Sequence, residues 1–265
     1  MDSEDSSEWL PPPGQSLFED FESQFSVVFA DSDELKQVAY SIRHHVYGED
    51  LGSESPLLPD HVADKYDSFA YHLLLLHRPS NLYAGTIRLI TPHQSSQQLP
   101  VQSLGLRKYW LTDAEKNQPN QACISEVSKL AVAAEFSKRE SDKDPLSQTL
   151  NAIEDQAFVI GAHRDFPKIT MGLCLASVAL ARQLFHDHIY AVMPPVLYHK
   201  LHGYGLLFEQ VSQVFERRGA KAVYSLNLDQ GVRIAESIYA MNDHITNQLA
   251  TQLHLLPVVN EAAGE

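Results

Sequence analysis

The sequence predicts an α/β sandwich built on a mixed, mostly antiparallel sheet, and three observations lead there. Strand patterns and helix patterns alternate along most of the chain. At least one pair of strands is joined at hairpin length, by Arg78-Pro79-Ser80-Asn81. Longer helical segments separate other strands, as crossovers do. Hairpins and helical crossovers on one sheet exclude a purely parallel, doubly wound arrangement. The chain has 265 residues, 44% of them hydrophobic, which is enough apolar material for a sizeable core.

Residues 1–24 are acidic and Ser-rich and contain Pro11-Pro12-Pro13-Gly14. They read as a tail, with Trp9, Leu10, Phe18 and Phe21 able to dock on the body. Residues 25–265 are expected to form a single domain closed by a C-terminal helix. A strand is expected over Phe25–Ala30. Asp31 and Glu34 then resemble a capping box, and Leu35, Val38, Ala39, Ile42 and Val46 follow at helical spacing to about Tyr47. Residues 48–67 form a loop. Strands follow at Ala70–His77 and Leu82–Thr91, a short helix near Ser103–Tyr109, and a strand at Cys123–Val132. Residues 137–144 read as a mobile loop and residues 146–160 as a helix of weak pattern. Thr170–Phe185 is a strong Ala- and Leu-rich helix. Ile189–Met193 is a buried strand stopped by Pro194-Pro195. Val196–His202 is a short helix, with Gly203 and Gly205 suited to a left-handed cap. Phe208–Phe215 and Lys221–Asn227 read as an antiparallel pair, and Val232–Leu253 as a closing helix.

Composition excludes several functions. The formal net charge of -14 disfavours a generic nucleic-acid binder, which needs clustered cations. No apolar run approaches the ~20 residues that span a bilayer, so no transmembrane segment is expected. The start is acidic where a secretory signal would be basic, and a cytoplasmic location is expected. Cys123 and Cys174 make neither a disulfide framework nor a CxxC site, and no ordered His partner makes Cys123 a nucleophile. Thirteen histidines carry no HExxH or Cys/His ligand spacing, so no metal is expected.

The informative residues are polar ones inside apolar elements. On the strand Cys123–Val132, Ile124, Glu126, Ser128 and Leu130 share one face by the period of two. A carboxylate in mid-strand demands a partner, and Arg88 and Arg43 are the candidates. Such a set can equally be an ion-pair network that holds strands to a helix. Asp64 and Asp67, read alone, are turn and capping residues.

Taken in order, Arg43-x-x-Val46-Tyr47, Asp64-x-x-Asp67, Thr86-Ile87-Arg88-Leu89-Ile90 and Glu126-Val127-Ser128-Lys129-Leu130-Ala131-Val132 resemble the acyl-homoserine-lactone synthase superfamily of GNAT-like enzymes. The nearer likeness within it is to the N-acyl amino acid synthases, including acyltransferases associated with PEP-CTERM/exosortase systems. Tyr190-Ala191-Val192-Met193-Pro194-Pro195-x-Leu197, Leu201-His202-Gly203-Tyr204-Gly205 and Phe215-Glu216-Arg217-Arg218-Gly219 agree with it. The resemblance covers roughly 25–227 and implies a GNAT-like α/β/α sandwich.

The resemblance further implies transfer of a long fatty acyl chain from an acyl-phosphopantetheine thioester to the α-amine of an amino acid. Glu126 would be the general base, and backbone amides beside Ser128 the oxyanion donors. Arg43, Tyr47, Asp64, Asp67, Arg88 and Lys129 would organise the site and bind substrate, with one arginine or Lys129 meeting the acceptor carboxylate. The strands Cys123–Val132 and Ile189–Met193 would splay to admit the pantetheine arm, and a tunnel under Thr170–Phe185 would take the acyl chain. Lys129 replaces an expected Arg and loses its bidentate fork. Ser53 stands near where lactone synthases carry Trp, which favours an amino acid over S-adenosylmethionine. No glycine-rich pyrophosphate loop is evident after Val132, which favours acyl carrier protein over acyl-CoA as donor. No resident cofactor is expected. Arg107-Lys108, Lys138-Arg139 and Arg217-Arg218 are the clustered cations that could meet an acidic carrier protein. An autoinducer-type lactone synthase and an inactive acyl-binding domain are the rival readings.

Overall fold

The computed structural model describes residues 18, 20–47, 63–94, 96–104, 123–137, 165–217 and 219–254. The expected helix at 146–160, most of the expected helix near Ser103–Tyr109, and most of the mobile loop expected at 137–144 lie outside those residues. So do Ser53 and the clusters Arg107-Lys108 and Lys138-Arg139.

Among the described residues eight strands form the sheet: β1 (Phe25–Phe29), β2 (Ala70–His77), β3 (Leu82–Ile90), β4 (Ile124–Val132), β5 (His188–Met193), β6 (Glu209–Gln210), β7 (Phe215–Glu216) and β8 (Ala220–Asn227). Their order is β1-β2-β3-β4-β5-β8-β6, with β7 also on β8. Every pairing is antiparallel except β4 with β5. The helices are α1 (Phe21–Gln24), α2 (Asp33–Tyr47), α3 (Ala134–Ser137), α4 (Phe166–Gln183), α5 (Pro195–Gly203) and α6 (Tyr239–His254). This is the GNAT-like mixed-sheet sandwich expected from the sequence.

The two faces of the sheet have different tasks. One carries the main core, where Leu73, Leu75, Ile87 and Leu89 meet Ile169, Leu173 and Leu180 of α4 and Met241 and Ile245 of α6. The packing leaves no slack at Gly85, where a Cβ would stand 2.7 Å from the Ala131 carbonyl and 3.1 Å from Leu173. Among the described residues this interface is lined by buried apolar side chains of the main core. Phe18 and Phe21 are buried in the same core. The opposite face takes α2 through Ala39, Ile42 and Leu74, and a 3-10 turn at Pro100–Leu104 through Val101.

Several local expectations are corrected. Helix α2 is capped by Ser32, whose Oγ accepts the Leu35 amide, and not by an Asp31–Glu34 box. Helix α4 begins a turn earlier than Thr170 because Pro167 fits the first turn, where its missing N–H has no partner to lose. The Phe208–Phe215 strand is broken in two. Ser212 Oγ takes the Val223 amide that a strand carbonyl would have taken. The closing helix starts at Tyr239 because residues 232–235 pair instead with the loop after α5. In that pairing Arg233 N–H donates to the Gly205 carbonyl and Ala235 N–H to that of Tyr204. Gly205 has φ +89, and a Cβ there would stand 1.8 Å from the Arg233 carbonyl oxygen, so only glycine fits.

Candidate active site

The site lies on the α2 face, around β3 and β4. Arg88 on β3 is paired in register with Ser128 on β4 and with His72 on β2, so the three side chains share one side of the sheet. Helix α2 brings Arg43 down from above, on the buried stripe that also contains Ala39 and Ile42. The turn before β2 supplies Asp64 and Asp67.

These residues form one closed network. Arg43 grips Asp67 with two bonds, Nη1 to Oδ1 at 3.1 Å and Nη2 to Oδ2 at 3.2 Å. Arg88 Nη1 donates to Asp64 Oδ1 at 2.8 Å and Asp67 Oδ1 at 2.9 Å, while its Nε donates to Ser128 Oγ at 3.0 Å. The Asp64 amide donates to Asp67 Oδ2 at 2.6 Å, and the Tyr66 amide to Asp64 Oδ1 at 2.9 Å. Bidentate pairing of this kind fixes geometry as well as charge.

Burial alone would raise the Asp67 carboxyl. The Arg43 hydrogen bonds, the charges of Arg88 and Arg43 and the Asp64 amide outweigh it and hold Asp67 at about 2. Burial likewise disfavours the Arg88 cation, but its two aspartates push its pKa above the usual arginine value. His72 Nε2 stands 3.3 Å from Asp67 Oδ1. Burial and the Arg43 charge pull His72 down to about 4, so it is neutral near pH 7 and the contact is not an ion pair. Tyr40 closes the arrangement, with its ring edge-on to His72 at 5.3 Å and beneath the Arg43 guanidinium at 4.8 Å.

Glu126 behaves differently, and this corrects an expectation. It lies on β4, 3% exposed, yet among the described residues it pairs with neither arginine. Its Oε2 accepts one hydrogen bond, from the Val101 amide at 2.8 Å. Burial lifts the carboxyl to about 8, against the opposing effects of that amide and of the Arg88 and Arg217 charges. The arginines therefore hold Asp64 and Asp67, while a backbone amide holds Glu126.

Two backbone features sit beside Glu126. The β3–β4 register slips by one between Thr86/Ala131 and Arg88/Ser128, so Lys129 and Leu130 together face Ile87. Lys129 has φ 55, a left-handed conformation for a non-glycine residue that costs about 1–2 kcal/mol. This bulge ends the alternation, and Leu130 packs against the main core rather than sharing the face of Glu126 and Ser128. Bulges recur beside active sites, where they re-aim backbone and side chains. Parallel pairing of β4 with β5 stops at Val127/Ala191, although β4 continues to Val132 and β5 to Met193. The two strands part after Val127, one residue beyond Glu126 and two before the bulge residue Lys129.

Lys129 is half-buried, and burial together with the Arg88 and Arg43 charges lowers its pKa. Tyr47 ends α2. Tyr40, His72 and the Val101 amide were not singled out from sequence. His72 had a signal, a histidine at a strand position that alternates with core leucines, and Tyr40 lies one turn before Arg43. The Val101 amide had none, because any residue type presents one.

Other candidates recede. Burial and the neighbouring Asp187 carboxylate raise the Cys123 thiol, and burial pushes Cys174 up to about 12, so neither is an activated thiolate. Among the described residues no group of three or more His, Cys, Asp or Glu could hold a metal ion. No described helix is long and apolar enough to cross a membrane.

The acetyltransferase (GNAT) domain family matches residues 42–165, the span that contains Arg43, Asp64, Asp67, Arg88 and Glu126. No curated protein matches the chain. Among solved structures the chain is similar to TofI in a ternary complex with an inhibitor and MTA, at 14% identity and a TM-score of 0.52 over 85% of this chain and 99% of that one. It is similar to the AHL synthase LasI at 13% identity and a TM-score of 0.50, over 82% and 95%. FeeM, an N-acyl amino acid synthase from uncultured soil microbes, aligns at 14% identity and a TM-score of 0.48, over 78% and 92%. For TofI and LasI the likeness, at these identities, is one of fold.

Proposed function

Starting from a chain that carries an acetyltransferase (GNAT) domain over residues 42–165, we propose that it is an N-acyltransferase. In this reading it moves a long fatty acyl group from an acyl carrier protein thioester to the α-amine of an amino acid. The observation that carries this reading is Glu126: a buried carboxyl with no ion-pair partner among the described residues, raised to about 8, near the bulge and the point where β4 and β5 part.

The chemistry follows from that placement. An ammonium has no lone pair and cannot attack a thioester. The Glu126 carboxylate, directly or through water, removes one proton, and a pKa near the working pH suits that task. The amine nitrogen then bonds to the thioester carbonyl carbon. Backbone amides at the bulge, beside Ser128, receive the developing oxyanion. Collapse breaks the carbon–sulfur bond as the nitrogen gives up its second proton to the departing pantetheine sulfur, which leaves as a thiol. An amide remains, and the proton on Glu126 returns to solvent. The attack is direct and needs no acyl-enzyme.

Arg43 and Arg88 organise the site by holding Asp64 and Asp67, and Arg88 also orients Ser128. Lys129, half-buried at the bulge, is the cation proposed for the acceptor carboxylate, and Tyr47 is proposed as a further substrate-binding residue. The parted strands β4 and β5 are the proposed path for the pantetheine arm. Carrier protein is preferred to CoA because no glycine-rich phosphate loop is legible after Val132, and Arg217 is an exposed cation for docking it. The domain organisation proposed is an acidic tail over residues 1–24 and one catalytic domain over 25–265, acting in the cytoplasm with no resident cofactor or metal.

Mass spectrometry of lipid extracts from expressing cells tests the reading. An N-acyl amino acid that disappears with Glu126→Gln is the expected product. A homoserine lactone would move the assignment to an autoinducer-type synthase, and no product from abundant folded protein would leave an acyl-binding domain.

A further inference from the structure

Strand β1 is one edge of the sheet. An edge strand ordinarily presents a row of unpaired N–H and C=O groups that can template another chain. Its composition adds to that hazard. Phe25-Ser26-Val27-Val28-Phe29 is uncharged, rich in aromatic and β-branched residues, and free of Pro and Gly.

Here the outer row is satisfied from within the chain. The Phe25 amide donates to the Phe21 carbonyl, and Arg78 Nε donates to the Phe25 carbonyl at 3.2 Å. The Val27 amide donates to Gln248 Oε1 at 2.9 Å, and Gln252 Nε2 donates to the Val27 carbonyl at 2.9 Å. The Phe29 amide donates to Gln252 Oε1 at 2.8 Å, and the Asp31 amide donates to the Phe29 carbonyl at 3.0 Å. Gln248 Nε2 also donates to Ser26 Oγ at 3.0 Å, which fixes the orientation of its amide.

Two features make this a strand surrogate rather than scattered contacts. One Gln252 amide takes both the carbonyl before Val28 and the amide after it, which is how a residue of a parallel neighbour strand bonds. The spacing also matches. Four residues of helix rise about 6 Å and two residues of strand about 6.6 Å, so glutamines at i and i+4 on α6 meet alternate residues of β1.

We infer that Gln248 and Gln252 act as a stand-in strand that keeps the β1 edge from pairing with β1 of a second copy of this chain. Antiparallel β1–β1 pairing about a two-fold axis is self-complementary, so a second copy is the occupant the uncovered edge fits. The pair lies three strands away from β4, and its role is independent of the proposed chemistry.

The test is the double variant Gln248→Met/Gln252→Met, read by size-exclusion chromatography with light scattering over a concentration series. Methionine keeps length and helix propensity but neither accepts from an amide nor donates to a carbonyl as glutamine does. The variant should shift, relative to wild type, toward dimers and larger species as concentration rises. Asn247→Met/Thr251→Met adds the same apolar groups on the exposed side of α6 and should leave the distribution unchanged. A natively folded Gln248/Gln252 variant with the wild-type distribution overturns the inference, as does equal association of the Asn247/Thr251 control. If the double variant does not fold, Gln248→Met alone is read by hydrogen exchange. The Val27 amide should exchange at least about tenfold faster, and unchanged protection there is the overturning result.

Discussion

Asp67 and Glu126 are both carboxyl groups buried on the α2 side of the sheet, with side chain and residue only 5% and 3% exposed, respectively. One sits at about 2 and the other at about 8. Burial pushes both upward, more completely for Glu126, and the partners decide the net direction. Asp67 receives a bidentate arginine, a second arginine and a backbone amide. Glu126 receives one backbone amide. The first arrangement locks a charge in place, and the second leaves a proton to be exchanged near neutrality. Groups whose surroundings separate their pKa values in this way mark out acid–base assignments. The ion-pair network and the candidate base are thus neighbouring but separate devices.

The largest expected effect comes from removing the unpaired group. Glu126→Gln should keep the Val101 contact and the fold, yet lower turnover by about 10²–10⁴-fold. Steady-state kinetics on folded protein checks this, and near-normal turnover would make Glu126 structural.

Breaking the paired region should act on stability first. Arg88→Ala leaves Asp64, Asp67 and Ser128 without their shared donor. Loss of one member of a buried pair costs about 3–5 kcal/mol, so Tm and turnover should fall together and excess amino acid should not restore activity. A stable Arg88→Ala protein whose sole defect is a raised KM for the amino acid would make Arg88 the carboxylate anchor.

The two carboxyls should also give opposite pH signatures. The folded pKa of Glu126 lies above its unfolded value, so its favourable contribution is complete below about 4.5 and is lost as pH rises through about 8. The folded pKa of Asp67 lies below its unfolded value, so its contribution is complete above about 3.8 and is lost as pH falls through about 2. Urea titrations across pH should show the alkaline loss flattened by Glu126→Gln and the acid loss flattened by Asp67→Asn. The smallest effect concerns the bulge. Lys129→Gly should relieve left-handed strain and raise stability by about 1 kcal/mol while raising KM for the amino acid. An unchanged KM would remove Lys129 from acceptor binding.

How much of this was legible in the sequence depends on the range of the interactions. The strands at 70–77, 82–90 and 188–193 were readable because their hydrophobic patterns and turn residues are local. Arg43, Asp64, Asp67, Arg88 and Glu126 stood out as charges within or beside apolar elements. Their pairing did not, because nothing along the chain says which buried carboxylate an arginine will reach. The lone state of Glu126 depends on the Val101 amide arriving from a turn twenty-five residues earlier. The bulge at Lys129 escaped notice because it carries no glycine or other marker, so the assignment of Leu130 to the Glu126 face failed one residue past it.

The central claim is that Glu126 is a buried carboxyl held by the Val101 amide, with no ion-pair partner among the described residues, and tuned toward neutrality. Its titration can be followed by carbon-13 NMR, with the Glu126 carboxyl resonance identified by its absence from Glu126→Gln. A midpoint near 8 that matches the acid limb of kcat/KM is the predicted result. A midpoint at the ordinary glutamate value of about 4.3 would show a solvated or ion-paired carboxylate and contradict the account.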